Sequence, residues 1–182
     1  MATPLQVEAR LRAPVTAQDH VRGPQDAPVT LVEYGDFQCR FCAEAHRNLT
    51  DVLDQRAETV RLVFRHFPVV NVHPYAEQAA VVAEAAARRG RFWPLHDWLF
   101  EHQDQLDAVH LSLGVEQLGL PVGEVDDEVS RELHDDRVRR DFVGGIRSGV
   151  RAVPALFVNG TPHEGDYDLP TLLSAVDHAA PT

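Results

Sequence analysis

Cys39 and Cys42 are the only two cysteines of this 182-residue chain, standing three apart in Leu31-Val-Glu-Tyr-Gly-Asp-Phe-Gln-Cys39-Arg-Phe-Cys42. Sulfurs at that spacing can close a small disulfide ring, so the pair reads as a redox site. The apolar run Thr30–Tyr34 before them, bounded by Pro28 and Gly35, predicts a short buried strand, and a helix is predicted from Cys39 to Arg56. A thiol at a helix start meets unpaired N–H groups and the positive end of the helix dipole, both of which favour thiolate. Cys39 is therefore the predicted nucleophile and exposed attacker, and Cys42 the residue that resolves a mixed disulfide.

The same spacing could be half of a zinc site, but structural zinc normally takes four ligands and there is no second Cys pair. His46, His66 and His73 stand at no recognisable ligand spacing, so no metal is predicted. His46 follows Cys42 by four residues on one helix stripe and reads as a packed or solvated side chain before a proton relay. Glu33, six residues before Cys39 on the predicted strand, offers a carboxylate that, if buried under the site, could take or relay the proton that Cys42 must lose. Alternation with Val32 and Tyr34 also permits a solvent-facing Glu33. Asp36 is expected in the turn. His96 and His102, interleaved with Asp97, Glu101 and Asp104, are six apart and read as a solvated polar face. Phe92, Trp93, Trp98 and Phe100 read as core.

A net charge of -11, with no basic cluster among aromatics, argues against nucleic acid as a partner. The chain contains no Lys, which excludes Schiff-base chemistry and a P-loop. Met1 to Thr30 lacks a signal-peptide apolar stretch and no later segment could span a bilayer. The chain as it stands is thus expected to be cytoplasmic without membrane insertion, or periplasmic or extracellular if a leader was removed.

The predicted elements continue with a strand at Val60–Phe67 and nearly seventy residues of helical pattern: Ala76–Arg89, Phe92–Gln105, Leu111–Leu118 and Asp126–Phe142. Strands at Ala155–Val158 and Thr161–His163 flank an Asn159-Gly160 hairpin turn, and a last helix covers Leu169–His178. A short strand near Leu11–Val15 completes the list of expected elements. This order predicts an α/β protein with a four-stranded mixed sheet covered on both faces. Residues 1–28 form an extension, 29–70 and 143–182 the α/β domain, and 71–142 a helical insertion.

Cys39-Arg40-Phe41-Cys42 on the first helix, with Val153-Pro154 before the third strand, resembles a thioredoxin fold of the DsbA type with its all-helical insertion. Asp19-His20-Val21-Arg22-Gly23-Pro24, Val29 to Cys42, Phe64-Arg65-His66-Phe67-Pro68, Phe92-Trp93 to His102 and Gly149 to Gly160 resemble the bacterial DsbA-like domains found fused behind NhaA-type antiporters. The likeness covers nearly the whole chain. It implies a cis bond before Pro154, which would face the disulfide, and a Val153 backbone that pairs with an incoming peptide. DsbA itself has Pro-His between its cysteines. Here Arg40 offers a partly screened charge and Phe41 no hydrogen bond to sulfur, which implies a weaker oxidant.

These readings converge on a thiol–disulfide oxidoreductase without a dissociable cofactor, acting on protein, peptide or small-molecule thiols and served by an unidentified redox partner. Neither the direction of electron flow nor the oligomeric state follows from the sequence. Two other classes stay open: a redox-sensing or peptide-binding module with little turnover, and a glutathione-dependent transferase or isomerase. The latter commonly carries a Ser or lone Cys at the helix start, so the paired cysteines count against it.

Overall fold

The computed structural model describes residues 10–181. Strand β1 (His20–Arg22) is followed by β2 (Val29–Gly35), α1 (Arg40–Gln55) and β3 (Val60–His66). Five helices come next: α2 (Ala76–Ala87), α3 (Phe92–Glu101), α4 (Ala108–Gln117), α5 (Val122–Ser130) and α6 (Asp135–Arg147). The chain closes with β4 (Ala155–Val158), β5 (Thr161–Pro162) and α7 (Leu169–Ala179). The strands form one sheet in the order β1-β3-β2-β4-β5, parallel only between β2 and β3. Asn159 and Gly160 both take positive φ, 47° and 83°, which a two-residue hairpin of matched twist requires.

Central β2 is buried along its length except at Thr30, because helices or loops cover both faces of the sheet. Leu31, Leu62, Leu49, Val52 and Leu172 form one apolar layer between the sheet and α1 with α7. Val32, Tyr34, Val63 and Phe157 form the other, under α6 and the N-terminal segment. Strand alternation puts Glu33 on the Leu31 face, beneath α1. A third cluster joins the cysteines, Phe37 and Phe64 to α2, α3 and α4. It contains Phe92, Trp98 and Phe100, with Trp93 packed partly buried against it, so these aromatics are core.

Three expectations change. The sheet has five strands rather than four, and the added edge strand is His20–Arg22, antiparallel to β3. Leu11–Val15 is not a strand: the Ala13 and Pro14 carbonyls accept from the Arg65 guanidinium at 2.8 and 2.9 Å, and Pro14 has no N–H to give a ladder. The helix expected over Asp126–Phe142 is two helices, broken between Ser130 and Asp135 where Glu132 takes φ 54°. The second of them, α6, continues to Arg147, beyond the position 142 at which the helical block was expected to end.

Gly145 sets how closely α6 approaches the sheet. A Cβ there would lie 2.6 Å from the Phe67 ring and 3.0 Å from Tyr34. Phe67 cannot swing away freely, since its ring stacks on Phe142 with centroids 4.5 Å apart. Gly145→Ala is expected to destabilise by about 1–3 kcal/mol, the usual cost of overpacking. An unchanged urea midpoint would show that α6 can lift off the sheet without penalty.

Candidate active site

The cysteines stand where the end of β2 turns into α1. Cys39 is the N-cap of α1 and its carbonyl accepts from the Cys42 and Ala43 amides at 3.0 and 3.2 Å. Its sulfur lies 3.7 Å from the Val153 carbonyl. The Val153–Pro154 peptide bond is cis. Both thiols are free, and Cys39 shows only 5% of its surface while Cys42 shows none. The exposed attacker expected at Cys39 is thus a nearly buried sulfur beside Val153, and Val153 lines a groove with Phe41, Glu44, Pro154 and Tyr167.

The two thiols have opposite acidities. The Cys42 thiol hydrogen-bonds the Cys39 sulfur and, with the Cys42 and Phe41 amides, outweighs burial to bring Cys39 down to about 6. Burial first, then donation to Cys39 and the nearby Glu33 charge, push Cys42 well above the usual thiol range. Near neutral pH one sulfur is the thiolate and the other keeps its proton.

Glu33 is fully buried and neither carboxylate oxygen has a hydrogen-bond partner among the described residues. Burial, reinforced by the charge on Cys39, raises its carboxyl to about 8. Asp36 is in the turn as expected, yet it is 1% exposed. Its carboxylate accepts from the Gln38 and Val69 amides and from His73 Nδ1, each at 2.8 Å, pinning the loop before Cys39.

Arg40 and Phe41 point away from the sulfur chemistry. The Arg40 guanidinium lies 4.6 Å over the Phe41 ring, and that ring is 53% exposed at the mouth of the groove. His46 is 9% exposed, its ring stacked on Phe100, and burial lowers its pKa. The polar-face reading of His96 and His102 does not hold. His96 is completely buried among Phe37, Phe64, Phe92 and Phe100, and burial drives its pKa down to about 3. His102 stacks on Trp98 and bonds the Trp98 carbonyl through Nδ1.

Two residues of the site were missed. Gln103 donates through Nε2 to the Phe37 and Cys39 carbonyls, at 2.7 and 2.9 Å, so the end of α3 clamps the redox loop. Tyr167 donates its hydroxyl to the Pro154 carbonyl at 2.9 Å and accepts from the Leu156 amide at 3.2 Å. Asn48 on α1 donates to the Tyr167 carbonyl, which ties that loop to the cysteine helix. Both residues lie in loops without periodicity, so no pattern could have singled them out.

Fold and site together define a thioredoxin-fold dithiol protein of the DsbA-like kind. A family model described as Thioredoxin matches residues 15–178, and the chain belongs to that family. It is 42% identical over 159 residues to a protein of Salinispora tropica named Na(+)/H(+) antiporter NhaA 3, a match covering 87% of this chain and 24% of that one. The chain thus spans about a quarter of the length of such curated relatives. Among solved structures, it resembles a thioredoxin-like oxidoreductase from Silicibacter pomeroyi, with TM-score 0.80 and 22% identity over 90% of this chain and 93% of that one. The Wolbachia pipientis alpha-DsbA1 structure matches with TM-score 0.80 and 19% identity, over 91% and 92% of the two chains. No helix among the described residues is long and apolar enough to cross a membrane.

A carboxyl raised by burial leaves a signature in stability. Between about pH 4.3, where a free Glu titrates, and about 8, the folded chain keeps a proton that the unfolded chain has lost. Stability therefore falls through that window. The depressed Cys39 thiol adds the opposite slope between about 6 and the free-thiol value near 8.5, which largely cancels when variant and wild type are compared. Glu33→Gln should gain on wild type progressively from pH 4.5 to 8, by up to ~4 kcal/mol. Urea unfolding of the reduced proteins measures it, and a pH-independent difference would contradict a buried, raised carboxyl.

Proposed function

We propose that this protein is a thiol–disulfide oxidoreductase in which Cys39 is the nucleophile and Cys42 resolves. The observation that carries this reading is a pair of free thiols at the α1 N-cap with the Cys39 sulfur 3.7 Å from the Val153 carbonyl before cis Pro154, a setting that lowers Cys39 and raises Cys42. In the reductive direction the Cys39 thiolate attacks a substrate disulfide, forming the mixed disulfide and releasing one substrate thiolate. With the Cys39 charge consumed in the mixed disulfide, Glu33 releases its proton more readily, and its carboxylate takes the proton of Cys42. Cys42 then attacks Cys39, so the Cys39–Cys42 disulfide forms and the second substrate sulfur leaves as a thiolate. Disulfide donation runs the same steps backwards. Val153 and Pro154 form the wall on which an extended substrate segment docks, with Tyr167 holding the Pro154 carbonyl. Arg40, Phe41 and His46 take no part in bond making. The family and the oxidoreductase neighbours of the same fold support the reading.

Direction follows potential and compartment. In a reducing cytosol the reductase or isomerase direction is favoured, and in an exported protein the oxidase direction. A second reading, a redox-sensing module serving a larger partner, draws on relatives that are about four times this length and named as antiporters. Disulfide-dependent binding without turnover would favour it.

Cys39→Ala is expected to abolish insulin reduction, while Cys42→Ala should retain the first attack and accumulate a mixed disulfide. Turnover surviving Cys39→Ala ends the proposal. The stabilisation of Cys39 is intermediate between the thiolates of thioredoxin, near pKa 7, and DsbA, near 3.5. Redox titration against glutathione should accordingly place this disulfide more reducing than about −120 mV, the potential of DsbA. A value at or above that figure would refute the claim that Arg40 and Phe41 leave the thiolate less favoured.

A further inference from the structure

Behind the cysteine pair, α1 and α3 bring together three side chains that the dithiol chemistry leaves unused. His46 Nε2 is 3.5 Å from Asp97 Oδ1, and His96 Nδ1 is 3.0 Å from the same oxygen. One candidate ligand atom from each of the three lies within 4.8 Å of the others. We propose that His46, His96 and Asp97 form a binding site for a borderline divalent transition-metal ion of the zinc type, with the remaining coordination open to solvent.

The spacing at His46 fits an ion better than a hydrogen bond. Metal–nitrogen and metal–oxygen bonds of about 2.0–2.2 Å in tetrahedral arrangement put neighbouring ligand atoms roughly 3.3–3.5 Å apart. The His46 distance of 3.5 Å lies at its upper end, while the His96 distance of 3.0 Å is a hydrogen bond that an ion would have to replace with a slightly wider spacing. The other histidine–carboxylate cluster differs: His20 Nε2 and His66 Nε2 lie 2.6 and 2.7 Å from Glu84 Oε1, which is hydrogen-bond length with no room for an ion between them.

His46 is the informative member. At 9% exposure it makes no side-chain hydrogen bond within 3.5 Å among the described residues, and its Nδ1 is buried and unpartnered. An ion at Nε2, the atom that faces Asp97, would supply the bond that the ring otherwise lacks, while its Nδ1 and His96 Nε2 keep no partner among the described residues. Asp97 is held for the role, since Arg22 donates to its Oδ2 at 2.7 Å and leaves Oδ1 to the two rings. Its side chain remains 35% exposed, so an ion can arrive from solvent. The Arg22–Asp97 pair carries no net charge, and the attraction must come mainly from two neutral imidazoles. Such a donor set selects zinc, copper or nickel over calcium or magnesium. The spacing comparison of His96 with His102 could not find this site, because the second imidazole comes from α1.

The test uses untagged full-length chain carrying Cys39→Ser and Cys42→Ser, so that no thiol competes and the outcome is independent of the redox proposal. Titration calorimetry with Zn2+ should give one ion per chain. His46→Gln and Asp97→Asn should each weaken binding at least about tenfold, while His20→Gln leaves it unchanged. Co2+ should show the intense visible absorption of a four-coordinate centre, lost in His46→Gln. His46 lies at the edge of the core, so its variant should keep the far-UV dichroism of the parent; Asp97→Asn serves if it does not. Absence of binding at about 1 mM Zn2+, binding undiminished in His46→Gln, or binding lost only in His20→Gln would each overturn the proposal.

Discussion

A single sulfur, that of Cys39, must hold a negative charge at a place almost shut off from water. Burial alone would push its acidity the wrong way, and the surroundings reverse this with the Cys42 thiol and the first amides of α1. Those donors are useful only if the α1 N-terminus keeps its position against the sheet. Asp36 fastens the loop from the β2 side, Gln103 from the helical block and Asn48 through the Tyr167 loop. Each comes from a different part of the chain. The helical block therefore belongs to the site as a clamp, besides covering the sheet.

The charge on Cys39 also conditions its neighbours. Burial first holds the protons of Cys42 and Glu33, and the Cys39 charge adds to it: Cys42 donates to that sulfur, and Glu33 faces it without a hydrogen bond of its own. A carboxyl with both oxygens unpartnered is costly to a folded chain. In the proposed exchange that cost is offset by a carboxyl able to change protonation state near neutral pH beside Cys42.

Away from the cysteines, buried polar side chains join the N-terminal segment and the helical block to the sheet. Arg65, 3% exposed, is neutralised by Asp19 and bonds the Tyr34 hydroxyl. Glu84 on α2 takes both His20 of β1 and His66 of β3, and its carboxyl is held far below the ordinary range by these partners despite burial. Pairs of this kind contribute little net stability, but removing one member strands the other. That asymmetry gives the three-residue β1 a defined place at the sheet edge.

Strand and helix periodicity in the sequence, the Asn159-Gly160 turn and the Cys-x-x-Cys spacing sufficed for the central strands, the helices flanking the sheet and the placing of the two cysteines at the start of the first of those helices, because all of these are local signals. Three-residue β1 was too short to have a period, and the break between α5 and α6 carried no Gly or Pro to announce it. Burial was hard to read where both faces of a strand or helix are covered: alternation left both readings of Glu33 open, of which the buried one holds, and His96, read as part of a solvated face, is wholly enclosed. The sequence by itself determined which atoms can react, since only two sulfurs exist and their spacing permits a ring. Tertiary structure alone decided how deeply they are buried, and with burial their acidities, and which distant residues stand beside them: the Val153 carbonyl near the Cys39 sulfur, Gln103 on the Cys39 carbonyl and Tyr167 on the Pro154 carbonyl, over sixty to well over a hundred residues away from Cys39 along the chain.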